Sequence, residues 1–210
     1  VVKGALSSGK PAVFITGIND NNMAVTDILT YEVYWGVINL TADASSGKTT
    51  VIYPYHQLIP QDMNDDGVTE VPRPDEWGTG NDAMTYWVQY SRMGTENIVA
   101  QTYHCQSGGW YFQMPNSWWG RVTEESVEVV AGENQVTLSV DRTPVVSLYT
   151  ITNENRENRA VMGERFVLRR QPGTIYAAEL HEDAAWYGLD VERVKENFHM
   201  TVSAWSPSNS

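Results

Sequence analysis

Apolar and polar residues alternate in short runs along most of this chain. Pro11-Ala-Val-Phe-Ile-Thr16 predicts a strand that Gly17 ends, and Ile18-Asn-Asp-Asn-Asn22 predicts a polar turn. Ile28 to Tyr34 and Val37-Ile38 form a second apolar stretch, Ala42 to Lys48 a loop, and Thr49 to Tyr53 a further strand. Residues 72–82 gather Pro, Gly and polar side chains without periodicity, so a linker and a domain boundary near Trp77 are expected there.

Alternation is cleaner in the second part. Trp110, Phe112 and Met114 point one way and Tyr111 and Gln113 the other, the mark of a half-buried strand. Val127 and Val129 flank Glu128, Ala131 to Asn134 reads as a hairpin loop, and Val136, Leu138 and Val140 return opposite Thr137, Ser139 and Asp141. Val145 to Ile151 predicts a buried strand, and Phe166-Val-Leu168 and Ile175 to Ala178 two more. Asn153 to Met162 predicts a helix that Gly163 stops. Asp190 caps a short last helix with Val191, Val194 and Phe198 on one face, and Met200 to Trp205 closes as a strand. The expected order, β-β-β-β-β-α-β-β-α-β, describes an α+β fold, mostly antiparallel β with packed helices.

Composition narrows the partners. The chain has 210 residues, 26 acidic against 14 Lys or Arg, and a net charge of −12. Nucleic acid and anionic membrane surfaces require the opposite sign, so neither is expected. No apolar run is long enough to span a bilayer, and a monomer is favoured. The lone Cys105 excludes an intrachain disulfide. Eight Trp, eleven Tyr and four Phe favour strands. The chain opens on Val1 rather than Met and is read as part of a longer precursor.

The sharpest chemical signal is Asp62-Met-Asn64-Asp65-Asp66-Gly67-Val68-Thr69-Glu70. Oxygen-bearing side chains stand at positions 1, 3, 5 and 9, with Gly at position 6, a pattern that wraps a hard cation. An EF-hand would need Glu at position 12, where Arg73 stands, and Pro60, Pro72 and Pro74 forbid long flanking helices. The reading that remains is a strand-flanked loop holding one Ca²⁺ through Asp62, Asn64, Asp66, the Val68 carbonyl and Glu70, with Asp65 facing water. The alternative is a metal-free acidic turn.

Other motifs carry less chemistry. Ser46-Gly47-Lys48-Thr49 resembles the end of a phosphate loop, but Ala42 stands where Gly is needed and a strand follows, so a β-turn is preferred. His104-Cys105 lacks an orienting partner and reads as a structural pair; His56, His181 and His199 lack ligand spacing. Glu124, Glu125 and Glu128 contain the residue type for glycoside hydrolysis, though clustered Glu on a strand is more often a solvated face. Asn39-Leu-Thr41 has only the form of a glycosylation sequon. Trp118 and Trp119, near Trp110 and Tyr111, could form an aromatic surface for a sugar or peptide, although most Trp in small β-rich domains are core. No catalytic residue is assigned.

Two stretches resemble known families. Gly4-Ala-Leu-Ser-Ser-Gly-Lys-Pro-Ala-Val-Phe-Ile15, taken with Asp62 to Pro72, resembles an FG-GAP/VCBS-type propeller blade across residues 1–75. That resemblance implies Ca²⁺ in a loop between strands, with Glu70 where Asp is commoner. Gly109-Trp-Tyr-Phe-Gln-Met-Pro-Asn-Ser-Trp118 resembles PsbP-like domains, which implies a central antiparallel sheet with helices on its faces from about Tyr86 to Trp205. Together they imply a blade-like segment over 1–76 and a PsbP-like domain over 77–210. They also imply a secreted or lipid-anchored bacterial origin and a non-catalytic module that meets a protein or a glycan.

Overall fold

The computed structural model describes residues 1–54, 58–74 and 84–201. It is mostly antiparallel β, and among the described residues no sheet closes into a barrel. The chain divides into two compact units, Val1–Gly109 with Thr201–Ser210, and Trp110–Met200.

The first unit opens with β1 (Val2–Ala5), β2 (Pro11–Ile18), β3 (Met23–Glu32) and β4 (Gly36–Asn39), an antiparallel meander. The short β5 (Ile52–Pro54) pairs with the beginning of β3. This strand starts later than the expected Thr49, because Thr49 and Thr50 turn their hydroxyls to the carbonyls of Thr26 and Thr41. β6 (Glu70–Pro74), β7 (Met84–Tyr90) and β8 (Glu96–Cys105) form a second antiparallel run. Leu6, Phe14, Ile28, Val51, Val71 and Val88 join the two runs in one core.

The predicted linker begins differently from expectation. Pro72 and Pro74 lie in β6, opposite Trp87 and Thr85. Proline is tolerated because β6 ends its sheet, and an edge strand has a side where no N–H is needed. Trp77 lies outside the described residues, and the compact units divide instead at Gly109.

The second unit contains the pair β9 (Trp110–Gln113) and β15 (Phe198–Met200). It also contains a five-stranded sheet in the order β10 (Val122–Val130), β11 (Glu133–Val140), β12 (Thr143–Ile151), β14 (Thr174–Leu180), β13 (Phe166–Gln171). Helix is sparse. The expected helix from Asn153 shrinks to α1 (Arg156–Arg159), whose N-cap Asn155 makes no side-chain cap bond. The last helix, α2 (Val191–Asn197), is capped as predicted, with the Asp190 carboxylate accepting from the Arg193 N–H at 2.8 Å. Phe198 leaves that helix to begin β15, three residues long, and residues 202–205 of the predicted closing strand lie outside the described residues.

Candidate metal centre

The loop from Asp62 to Glu70 is pinched shut at its base. Gln61 and Glu70 exchange backbone hydrogen bonds of 3.0 and 2.9 Å, which makes them a β-bridge. Asp65 (φ 56°) and Gly67 (φ 82°) carry the chain through left-handed conformations that a β-branched residue would resist. The turn is held from inside. Asp62 accepts from the N–H of Asp66 (3.1 Å) and of Gly67 (2.8 Å), and Asp66 accepts from the N–H of Val68 (2.8 Å). The Asn64 amide donates to Asp66 at 3.0 Å.

This folding brings one carboxylate oxygen each from Asp62, Asp66 and Glu70 within 4.8 Å of one another. Three like charges so close repel unless something positive lies between them. Asn64 is exposed and Val68 half-buried on the same turn, and Asp65 is exposed. The donor set is all oxygen, so the residues suit a hard cation.

Glu70 is fully buried, whereas Asp62 and Asp66 are exposed. Glu70 accepts from the Met63 N–H (2.7 Å) and from the Gln89 amide (2.7 Å). Among the described residues no Lys or Arg lies within ion-pair distance of it. Burial therefore pushes its carboxyl above the ordinary range, and the Asp66 and Asp62 charges push the same way. Asp66 moves oppositely: burial resists its charge, but the Val68 N–H, Gln89 and Asn64 outweigh burial and hold it low.

Gln89 is a site residue that the loop pattern did not contain. From β7 its amide donates to Asp66 at 2.8 Å and to Glu70 at 2.7 Å, and so fixes both carboxylates. It lies 19 residues from Glu70, and only the pairing of β6 with β7 brings it near. Gly4 is similar: a Cβ there would meet the Thr69 hydroxyl at 1.8 Å, and the Thr69 N–H donates to the Ala5 carbonyl at 3.0 Å. The loop is thus seated on β1.

The other predicted groups fall elsewhere. Trp118 is fully buried, and its indole N–H donates to the Tyr187 carbonyl at 2.9 Å, so it is core and not a ligand surface. Trp119 is half-buried, with its indole nitrogen enclosed. Among the described residues, the large aromatics that do face solvent are Tyr31, Tyr34 and Trp35 around the β3–β4 turn, and Trp186. Glu124 and Glu128 share one face of β10 across about 13 Å of strand, while Glu125 takes the opposite face. That spread separates the carboxylates that hydrolysis would need side by side.

Asp43 accepts from the Ser45 hydroxyl and occupies the N–H groups of Ser46 and Ser45, the groups a phosphate would need there, and these bonds, the Ser45 hydroxyl's foremost, hold its carboxyl at about 2. His104 is buried, with Nε2 2.8 Å from the Thr102 hydroxyl, and Cys105 is buried beside it. His181 pairs with the Ser147 hydroxyl, His199 stacks on Tyr111, and His56 lies outside the described residues. Asn39 donates to Asp27 and accepts from Thr41. Among the described residues, no helix is long and apolar enough to cross a membrane.

No protein-family profile, curated protein or solved structure matches the chain.

Proposed function

We propose that the chain is a non-catalytic extracellular or cell-surface module whose first unit is pinned by one Ca²⁺. Asp62, Asn64, Asp66, the Val68 carbonyl and Glu70 are the ligands. The observation that carries this reading is the fully buried Glu70, which has two further carboxylates beside it and, among the described residues, no cationic side chain. Elsewhere the same chain deals with a buried acid in the ordinary way. Glu133, also fully buried, is met by Arg159 and Arg165. A buried carboxylate is retained where something compensates its charge, and at Glu70 a bound cation is that compensation.

Calcium fits better than magnesium. A loop of one Asn, three carboxylates and a carbonyl offers many oxygens without octahedral rigidity. Extracellular Ca²⁺ is abundant enough to act by mass action on a site of modest affinity. Within this reading residues 1–76 are the blade-like segment and residues 77–210 the PsbP-like domain. Calorimetric titration of chelator-treated protein tests the proposal. Ca²⁺ should release or absorb heat at one site and raise the melting temperature, and Mg²⁺ should do so far more weakly. Absence of both responses to Ca²⁺ overturns it.

A second reading, binding of a glycan, is favoured by Tyr34 and Trp35, which are 94% and 79% exposed at one turn. Aromatic faces of this kind stack on sugar rings. Retention on a glycan array that Trp35→Ala abolishes would support it, and absence of retention by the wild type would end it.

A further inference from the structure

The five-stranded sheet of the second unit ends in two edges of opposite charge. β10 carries Glu124, Glu125 and Glu128 and no Lys or Arg, whereas β13 carries Arg169 and Arg170 and no acid. Among the described residues no strand pairs with the outer side of either. β10 is exposed from Glu125 to Val130, and β13 from Arg169 to Gln171. An edge strand leaves every second N–H and C=O without a ladder partner, a template for adding another strand.

Charge on an edge often serves only to prevent aggregation, and either sign does that equally well. Here the signs are segregated. Two β10 edges meeting would oppose Glu to Glu, and two β13 edges Arg to Arg, and like charges across a pair destabilise it. Only β10 against β13 is complementary.

The register strengthens the match. Residues directly opposite one another share a face of the sheet. One row across it runs Glu128, Asn134, Thr150, Tyr176, Arg169. Glu128 and Arg169 are thus the two ends of a single row, and Glu124 lies on their face. Glu125 and Arg170 lie together on the other face, through Thr137, Ser147 and the rows beside them. Every pairing within the sheet is antiparallel, so its first and fifth strands, β10 and β13, run the same way. A copy displaced sideways and turned about the row to follow the accumulated twist of the sheet would pair parallel and in register, with Arg169 beside Glu128. Arg170 already bridges Glu157 at 3.3 Å, whereas Arg169 has no ion pair among the described residues.

We infer that the chain associates with a second copy of itself by strand addition, β10 of one against β13 of the next, with Glu128–Arg169 as the contact that sets register. The contact is heterologous, so it propagates in a row and does not close as a two-fold dimer. It is limited to the six residues of β13 and rests on exposed ion pairs, so it is weak and sensitive to salt.

Sedimentation velocity on the full chain tests this. At low ionic strength the average mass should rise above 23.6 kDa as concentration increases, and should return toward it in high salt. Glu128→Arg and Arg169→Glu, each shown to be folded by circular dichroism, should weaken association at least tenfold. Mixed in equal amounts the two variants should associate again, because the guanidinium introduced on β10 of one meets the carboxylate introduced on β13 of the other. A wild type that stays at the monomer mass, single reversals without effect, or a mixture that does not recover each overturns the inference. A basic extended peptide that binds wild-type β10 while the chain itself stays monomeric would assign the edge to another partner, and also overturns it.

Discussion

Glu70 and Glu133 are both fully buried carboxylates set in opposite surroundings. Two guanidinium groups meet Glu133: Arg165 at 3.0 Å, and Arg159, which donates to its other oxygen. Arg165 also lies over the Tyr149 ring, 3.7 Å from its centroid, and Tyr149 donates to Glu179. Removing the central acid leaves the enclosed Arg165 and the partly exposed Arg159 without their shared partner, so Glu133→Gln should cost roughly 3 kcal/mol in urea unfolding, with or without Ca²⁺. Glu70→Gln should behave differently. In chelator it removes a buried charge but also one of the two acceptors that meet the Met63 N–H and the Gln89 amide, so it should cost only about 1–3 kcal/mol, while in Ca²⁺ it should also abolish the metal-dependent gain. Glu133 also sets a pH dependence. Burial opposes its charge, but the hydrogen bonds from Arg159 and Arg165 outweigh burial and hold it below its ordinary 4.5. Its stabilisation is therefore complete above that value and is lost as pH falls through its lower folded value. The difference in urea midpoint between wild type and Glu133→Gln should stay level from neutral pH down to 4.5 and shrink only below it.

At the scale of elements, the candidate site is a loop braced by two strands distant in sequence. β1 supplies the flat seat at Gly4, and β7 supplies Gln89. Gly4→Ala should lower the melting temperature and weaken Ca²⁺ binding together, since its Cβ would push Thr69 and the loop off β1. Thr69→Ala in the same chain should restore part of both, because it removes the nearest atom of the clash. Gln89→Ala leaves the backbone intact but frees Asp66 and Glu70, and calorimetry should show Ca²⁺ affinity roughly 10–100-fold weaker. The convergence of Asp62, Asp66 and Glu70 was legible in the sequence because positions 1, 5 and 9 of a loop are a local matter. Gln89 and Gly4 were not legible, because their roles come from strand pairing and close approach. Trp118 misled for the related reason that a Trp-Trp pair after a turn looks alike whether its indole meets solvent or the Tyr187 carbonyl. Pro72 and Pro74 looked like linker because their place on an edge strand depends on which strand lies beside them.

For the molecule as a whole, the antiparallel character was readable from alternation and turn residues, while the division at Gly109 was not. Two long strands, β7 and β8, stand between the expected boundary and the observed one, and the packing of their Val88, Tyr90 and Ile98 with Val71 and Phe14 assigns them to the first unit. The loop is therefore tied to a core that spans the unit, and a bound cation should tighten more than its own turn. Ca²⁺ should slow amide exchange at Gly67 and Val68, whose N–H groups bond to ligand carboxylates, and at Thr69, which bonds to Ala5. The effect should extend into β1 and β7, which hold the loop from either side. Strands β11 and β12 contribute no ligand and set the baseline for the comparison. Slowing confined to residues 62–70 would mean that the loop binds its ion without stiffening its supports, and the pinning role would then fail even with binding intact. Slowing that reaches Val2–Ala5 and Met84–Tyr90 is the expected pattern, because each is joined to the loop by a contact that the cation would hold in place.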